Sequence, residues 1–186
     1  MKELEERILK DGIVLPGDIL KVGSFLNQNV DVKLLEKMAK EVKKNFSGVT
    51  KVLTIEASGI AFATLVSYFL GCDFVFAKKS KTSNLSGDLL TSKVESYTHG
   101  NTNEIYINKS YLNENDKVLI VDDFLATGNA FKGLFDLCKK AKVEVVGFVA
   151  EIEKVYQGGG NYFRDKGYKV LSLAMIKEIK GEEVIF

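Results

Sequence analysis

Residues 117–130 read Lys117-Val118-Leu119-Ile120-Val121-Asp122-Asp123-Phe124-Leu125-Ala126-Thr127-Gly128-Asn129-Ala130. Val118 to Val121 form an apolar strand, Asp122 and Asp123 close it, and the Ala126-Thr127-Gly128 turn leads into a helix expected from about Asn129. That order places two kinds of chemistry together. Backbone N–H groups at the turn and helix start can hold a dianionic phosphate, while the carboxylates anchor sugar hydroxyls or a bound cation. A site for a phosphorylated sugar is the expectation. Strands ending in two acids also occur in receiver domains and nucleotide hydrolases. The chain has no Gly-x-x-x-x-Gly-Lys-Ser/Thr loop to support a hydrolase. A receiver domain needs a separate phosphoacceptor aspartate, and the candidate strand Val52 to Ile55 ends in Glu56 instead.

Outward from this stretch, strands and helices alternate. Thr50 to Ile55 reads as a strand, Gly59 to Leu70 as a helix and Phe74 to Ala77 as a second strand, which makes a β-α-β unit. Downstream, the pattern predicts a helix over 129–141, a strand over 143–150, a loop at Gly158-Gly159-Gly160 and a final strand near 168–174. Two alternating segments, Thr91 to Thr98 and Glu104 to Lys109, joined by His99-Gly100-Asn101, predict an antiparallel hairpin. Near the N-terminus, Leu4, Ile8 and Leu9 give a short amphipathic helix ended by Asp11-Gly12. Residues 13–30, with the sole proline Pro16, read as irregular. Asp31 then caps a helix over 32–46 whose Leu34, Leu35, Met38, Val42 and Phe46 face the core. The fold class is α/β, a mainly parallel central sheet flanked by helices, with the ligand outside the strands' carboxyl ends.

With 186 residues and 46% hydrophobic content, one domain over 1–186 is expected, with an N-terminal part at 1–48 and a core at 49–175. A net charge of +1 gives no reason to expect a nucleic-acid partner. Cys72 and Cys138 have no metal-binding or redox spacing and are expected to be reduced thiols. His99 is the only histidine, which rules out a multi-histidine metal site. The start Met-Lys-Glu-Leu-Glu-Glu-Arg is too polar for a secretory signal, and the apolar stretch from Ile60 to Phe76 is interrupted by Ser67, Tyr68, Gly71 and Asp73. A cytoplasmic protein with no membrane partner is expected.

Two further segments bear on a phosphate site. Ile55-Glu56-Ala57-Ser58-Gly59-Ile60 is a second strand-to-helix turn, with small residues where a phosphate approaches backbone N–H groups. Lys78, Lys79 and Lys81 follow the next strand and supply cations beside it.

The stretch from Asp122 to Gly128 resembles the phosphoribosyl pyrophosphate (PRPP) signature of the type I phosphoribosyltransferases. That signature is two acids, two or three mostly apolar residues, then Ala/Asp-Thr-Gly. The order of pieces is similar to the bacterial xanthine phosphoribosyltransferases. The resemblance rests on Asp18-Ile19-Leu20-Lys21-Val22, Ser24-Phe25-Leu26-Asn27, Thr54 to Ala61, Val75-Phe76-Ala77-Lys78-Lys79, Val121 to Ala126 and Ile152-Glu153-Lys154. It covers nearly the whole chain. It implies a catalytic role for Asp122 and Asp123 and a PRPP phosphate on Ala126, Thr127, Gly128, Asn129 and Ala130. It implies pyrophosphate binding by Glu56, Ala57, Ser58, Gly59, Lys78, Lys79 and Lys81, one such lysine reaching across a homodimer interface. The hairpin at 91–109 matches the family's mobile flap, with Ser96 and Tyr97 as its contact residues.

For the base, the resemblance implies a hood from the N- and C-terminal segments, with Leu20 over the ring and Asn27 reading the 2-oxo group of xanthine. Lys154 would donate to the 6-oxo group, with Tyr156 close by for stacking. A lysine donor suits a carbonyl and disfavours the amino group of adenine. The implied activity is purine salvage from xanthine and PRPP, with Mg2+ carried by PRPP and no protein metal ligand assigned. One departure concerns the proton at the purine N7. Many hypoxanthine–guanine enzymes have Asp before Thr-Gly, where this chain has Ala126. Adenine or hypoxanthine–guanine transfer and a non-catalytic PRPP-sensing regulator are the rival readings. A regulator carries an added DNA-binding domain, for which about 50 residues ahead of the core are too few.

Overall fold

The computed structural model of the chain describes residues 1–81, 87–95 and 102–186, so Ser96, Tyr97 and His99 lie outside the described residues. Its elements are α1 (Lys2–Asp11), β1 (Ile13–Leu15), β2 (Ile19–Lys21), α2 (Val32–Asn45), β3 (Lys51–Ile55), α3 (Gly59–Leu70), β4 (Asp73–Ala77), β5 (Leu89–Glu95) and β6 (Thr102–Asn108). There follow β7 (Lys117–Leu125), α4 (Asn129–Ala141), β8 (Glu144–Lys154), α5 (Gly159–Arg164), β9 (Val170–Ile176), β10 (Glu178–Lys180) and β11 (Glu183–Ile185). Among the described residues the central sheet has the order β4-β3-β7-β8-β9. Every pairing within it is parallel, as the alternation of strands and helices implies.

β7 lies at the middle of the sheet, and its residues divide between two cores. Leu119 and Val121 pack on one face with Met38 and Val42 of α2 and Phe62 and Val66 of α3. Val118 and Ile120 pack on the other with Phe131, Leu134 and Leu137 of α4 and Ile105 of β6. Both sides of β7 are therefore apolar, which is why it reads as a continuous hydrophobic run. Asp31 caps α2 as its sequence predicts, its Oδ1 accepting from the Leu34 N–H at 3.1 Å. No helix among the described residues is long and apolar enough to cross a membrane.

The structure corrects several boundaries. Residues 13–21 are not irregular; β1 and β2 form an antiparallel hairpin with Leu15 opposite Ile19, turned through Gly17 at φ 81 and Asp18 at φ 59. Strands of three residues are too short to show alternation. The apolar strand does not stop at the acids. β7 continues to Leu125, because Asp122, Phe124 and Leu125 still pair with Ala150, Ile152 and Glu153 of β8. Likewise β8 runs to Lys154 through two buried glutamates. The triple glycine is a loop only at Gly158; Gly159 and Gly160 open α5. β9 lies two residues beyond the expected strand, and the β10–β11 hairpin had no counterpart in the sequence reading.

Candidate active site

The carboxyl ends of β3, β7 and β8 open on a cavity of about 320 Å3. The turn expected to hold a phosphate forms one wall, since Ala126, Thr127, Gly128, Asn129 and Ala130 all line it. Gly128 stands at φ 79 immediately before α4, a conformation that glycine adopts without penalty. A helix start leaves its first N–H groups without acceptors inside the helix. The turn is braced from below: Lys132 Nζ donates to the Thr127 carbonyl at 3.1 Å, and the Gly159 N–H donates to the Ala126 carbonyl at 3.0 Å.

Asp122 and Asp123 also line the cavity, although both are buried. Asp122 Oδ1 accepts the N–H of Asp123 at 3.0 Å, and Asp123 Oδ1 accepts that of Phe124 at 2.9 Å. Burial, then the neighbouring Asp123 charge, pushes the Asp122 carboxyl well above the usual range. Glu151, 1% exposed, is pushed the same way by burial and then by the charges of Asp123 and Asp122; its Oε2 has no hydrogen-bond partner among the described residues. Glu151 carries no distinguishing signal in the sequence, because strand-end acids are ordinarily solvated.

The second turn stands opposite. The Glu56–Ala57 peptide is cis, Ser58 lines the cavity, and Glu56 Oε1 accepts the backbone N–H of Lys79 at 2.6 Å. Gly59 is the only residue that fits its place, since a methyl there would overlap Thr54 Oγ1 and lie 2.7 Å from Asp122 Oδ1. Of the three lysines, Lys79 lines the cavity. Lys78 pairs through its backbone with Tyr106 and faces a different cleft, and Lys81 is exposed.

At the end expected to take the base, Leu20 and Lys154 line the cavity. Lys154 is 7% exposed, and its Nζ donates to the Asp18 carbonyl at 2.5 Å. Burial holds its pKa below the usual lysine value, with the Asp18 carboxylate opposing. Asn27 stands outside the cavity lining and donates from Nδ2 to Asp123 Oδ2 at 3.1 Å. Tyr156 is 41% exposed and away from the lining; the aromatic rings that do line it are Phe131 and Phe124, the latter with the Lys154 ammonium 6.0 Å from its centroid. The position directly after the acid pair was the available signal for Phe124. Val94 and Ile105, from the hairpin, complete the apolar lining and were also missed.

A family model of the phosphoribosyl transferase domain matches residues 22–184. Xanthine phosphoribosyltransferase 2 of Clostridium botulinum is 48% identical over 189 residues, spanning 100% of both chains. The xanthine phosphoribosyltransferase of Lactiplantibacillus plantarum is 47% identical over 188 residues, covering 100% of this chain and 96% of that protein. Among solved structures, adenine phosphoribosyltransferase of Giardia lamblia, complexed with 9-deazaadenine, superposes with a TM-score of 0.75 at 23% identity, covering 90% of this chain and 94% of that one. The Trypanosoma brucei enzyme gives 0.76 at 15% identity, over 98% and 89% of the two chains. The likeness to these structures is one of fold, while the sequence matches run the full length. The chain belongs to the phosphoribosyltransferase family and has its type I fold.

Proposed function

We propose that the protein transfers the 5-phosphoribosyl group of PRPP to N9 of xanthine, forming xanthosine 5'-monophosphate and pyrophosphate. The observation that carries this reading is the convergence on one cavity of a phosphate turn, an acid pair and a buried lysine at the base end. In this reading residues 126–130 hold the 5-phosphate and Asp122 and Asp123 face the ribose hydroxyls. Lys79 and the turn at 56–59 receive the pyrophosphate. As that group departs, positive charge develops on the ribosyl carbon, and a fixed carboxylate at the floor of the site offsets it. Ala126 offers no general base at that position, and xanthine is acidic enough to react as its anion.

Mg2+ fits this site as an ion carried by PRPP. The Asp122 carboxyl, held toward its protonated form, is a poor direct ligand, whereas the substrate's own phosphate and hydroxyl oxygens are the hard donors that Mg2+ takes. When bound, the ion neutralises the charge of the departing pyrophosphate. The reading includes a cytoplasmic homodimer. Free Cys72 and Cys138 suit a reducing compartment, and Tyr68, Phe76 and Tyr111, on and near edge strand β4, are exposed aromatics suited to a subunit contact.

Assays with xanthine, guanine, hypoxanthine and adenine beside Mg2+ and PRPP test the proposal. The expected result is the highest kcat/KM on xanthine. Preference for adenine would overturn the base assignment, and absence of nucleotide from every base would overturn catalysis.

A further inference from the structure

Helix α5 has six residues and opens on the run Gly158-Gly159-Gly160, so it has little stability of its own. Its position must come from tethers, two of which lie at its C-terminal end. Phe163 is fully buried, its ring centroid 4.1 Å from that of Phe148 and 6.1 Å from that of Phe131. Arg164, the next residue, makes a two-pronged contact with Glu153 of β8: Nη1 to Oε1 at 2.7 Å and Nη2 to Oε2 at 2.5 Å. Ser172 Oγ of β9 donates to the same Oε2 at 2.5 Å. Glu153 is 1% exposed, and among the described residues these donors are its side-chain partners.

The tethered helix has no cavity-lining residue of its own. What it presents to the site is Gly159, pressed against the underside of the phosphate turn. The Gly159 N–H donates to the Ala126 carbonyl, and a methyl on Gly159 would overlap that oxygen and lie 2.5 Å from the Gly128 nitrogen. Gly160 in turn packs on the ion pair, where a methyl would overlap Glu153 Oε1 and lie 2.5 Å from Arg164 Nη1. A continuous contact therefore runs from Glu153 through Arg164 and α5 to residues 126–128.

We propose that Glu153 and Arg164 are a positioning pair for the phosphate turn, fixing α5 so that Gly159 holds Ala126 and Gly128 in place to receive the 5-phosphate. The inference rests on the reading that residues 126–130 bind that phosphate. It assigns the pair to PRPP affinity and not to the base, because Glu153 and Lys154 are adjacent on a strand and their side chains project in opposite directions.

The test is the dissociation constant of PRPP with Mg2+, measured by calorimetry, for Arg164→Met, Arg164→Lys and Gly159→Ala, with Thr127→Val as a probe of the turn itself. Arg164→Met and Gly159→Ala are expected to weaken PRPP binding about tenfold, Arg164→Lys less. KM for xanthine at saturating PRPP should stay unchanged, and hydrogen exchange at residues 126–130 should speed up. A simply destabilised fold would not separate PRPP from xanthine in this way. Where Arg164→Met fails to fold because Glu153 is left unpaired, Glu153→Gln with Arg164→Met removes the buried charge and should show the same PRPP defect. Native PRPP affinity in a folded variant lacking the pair would overturn the proposal. If Thr127→Val weakens binding and the pair variants do not, the pair alone falls. If none of them does, the phosphate turn falls with it.

Discussion

Asn27 donates from Nδ2 to Asp123 Oδ2 across 3.1 Å, joining the N-terminal segment to the acid pair over 96 residues of chain. The side chain expected to read the 2-position of the base is thus also a partner of a site carboxylate. Asn27→Ala should lower kcat/KM for hypoxanthine modestly, through Asp123. It should lower kcat/KM for xanthine by about one to two further decades, the value of a contact worth ~1–3 kcal/mol. Steady-state assays of both bases measure the difference. Equal losses would leave Asn27 as a support for Asp123 and remove it from base recognition.

Replacing both acids, Asp122→Asn with Asp123→Asn, should reduce kcat with saturating xanthine by about 100-fold or more without lowering the thermal midpoint. Both side chains are buried and crowd each other, so neutral isosteres relieve burial and repulsion and keep acceptors for the N–H groups of Asp123 and Phe124, which offsets the loss of the acceptor that Asp123 Oδ2 gives Asn27. Turnover and calorimetry on the same preparation decide it. Unchanged turnover would remove the acids from the reaction, and a large fall in the midpoint would make them structural.

Glu151 should affect stability with a definite pH sign. Its folded pKa is raised above the ordinary 4.5, first by burial and then by Asp123 and Asp122. Between those two values the folded chain binds more protons than the unfolded one. Stability therefore falls as pH rises through that window. Glu151→Gln removes the titration and should raise the midpoint at pH 7 by about 2–4 °C, or about 1 kcal/mol. Below pH 4.5, where the carboxyl is neutral in both states, the gain should vanish. A gain independent of pH, or a loss at pH 7, contradicts this account.

The sheet and the turn at Ala126-Thr127-Gly128 were legible because their signals are local. Val118 to Gly128 carries a strand, two acids and a glycine turn within eleven consecutive residues, and Asp31 lies three residues from the N–H that it caps. The missed features are set by neighbours distant in sequence. Glu151 and Glu153 resemble solvated strand-end acids until β8 is seen between β7 and β9. Glu153 finds its donors at Arg164 and Ser172, 11 and 19 residues away. Tyr156 and Phe124 show the same limit within the site. Both are aromatics near a strand end, and only the β7–β8 register, with Phe124 opposite Ile152, directs Phe124 and not Tyr156 to the cavity.

Lys154 separates activity from stability most sharply. Its Nζ donates to the Asp18 carbonyl and lies 6.0 Å from the Phe124 centroid, so its ammonium is held at the end of the cavity proposed to take the base. Donation to a 6-oxo group serves xanthine and hypoxanthine alike. Lys154→Met, which keeps the packing of the stem, should lower kcat/KM on both by about 10–100-fold. Stability should move the other way. Burial lowers the folded pKa, so between that value and the ordinary 10.5 the unfolded chain binds more protons and wild-type stability rises with pH. Below the window the buried ammonium is destabilising at full strength. Lys154→Met should therefore melt no lower than wild type at pH 7, and its relative advantage should shrink as pH rises toward 10.5. Kinetics on the two bases and melts across alkaline pH provide the check. A loss confined to xanthine would transfer the 2-position contact to Lys154, and full activity on both bases would leave the lysine as a tie to the Asp18 turn alone.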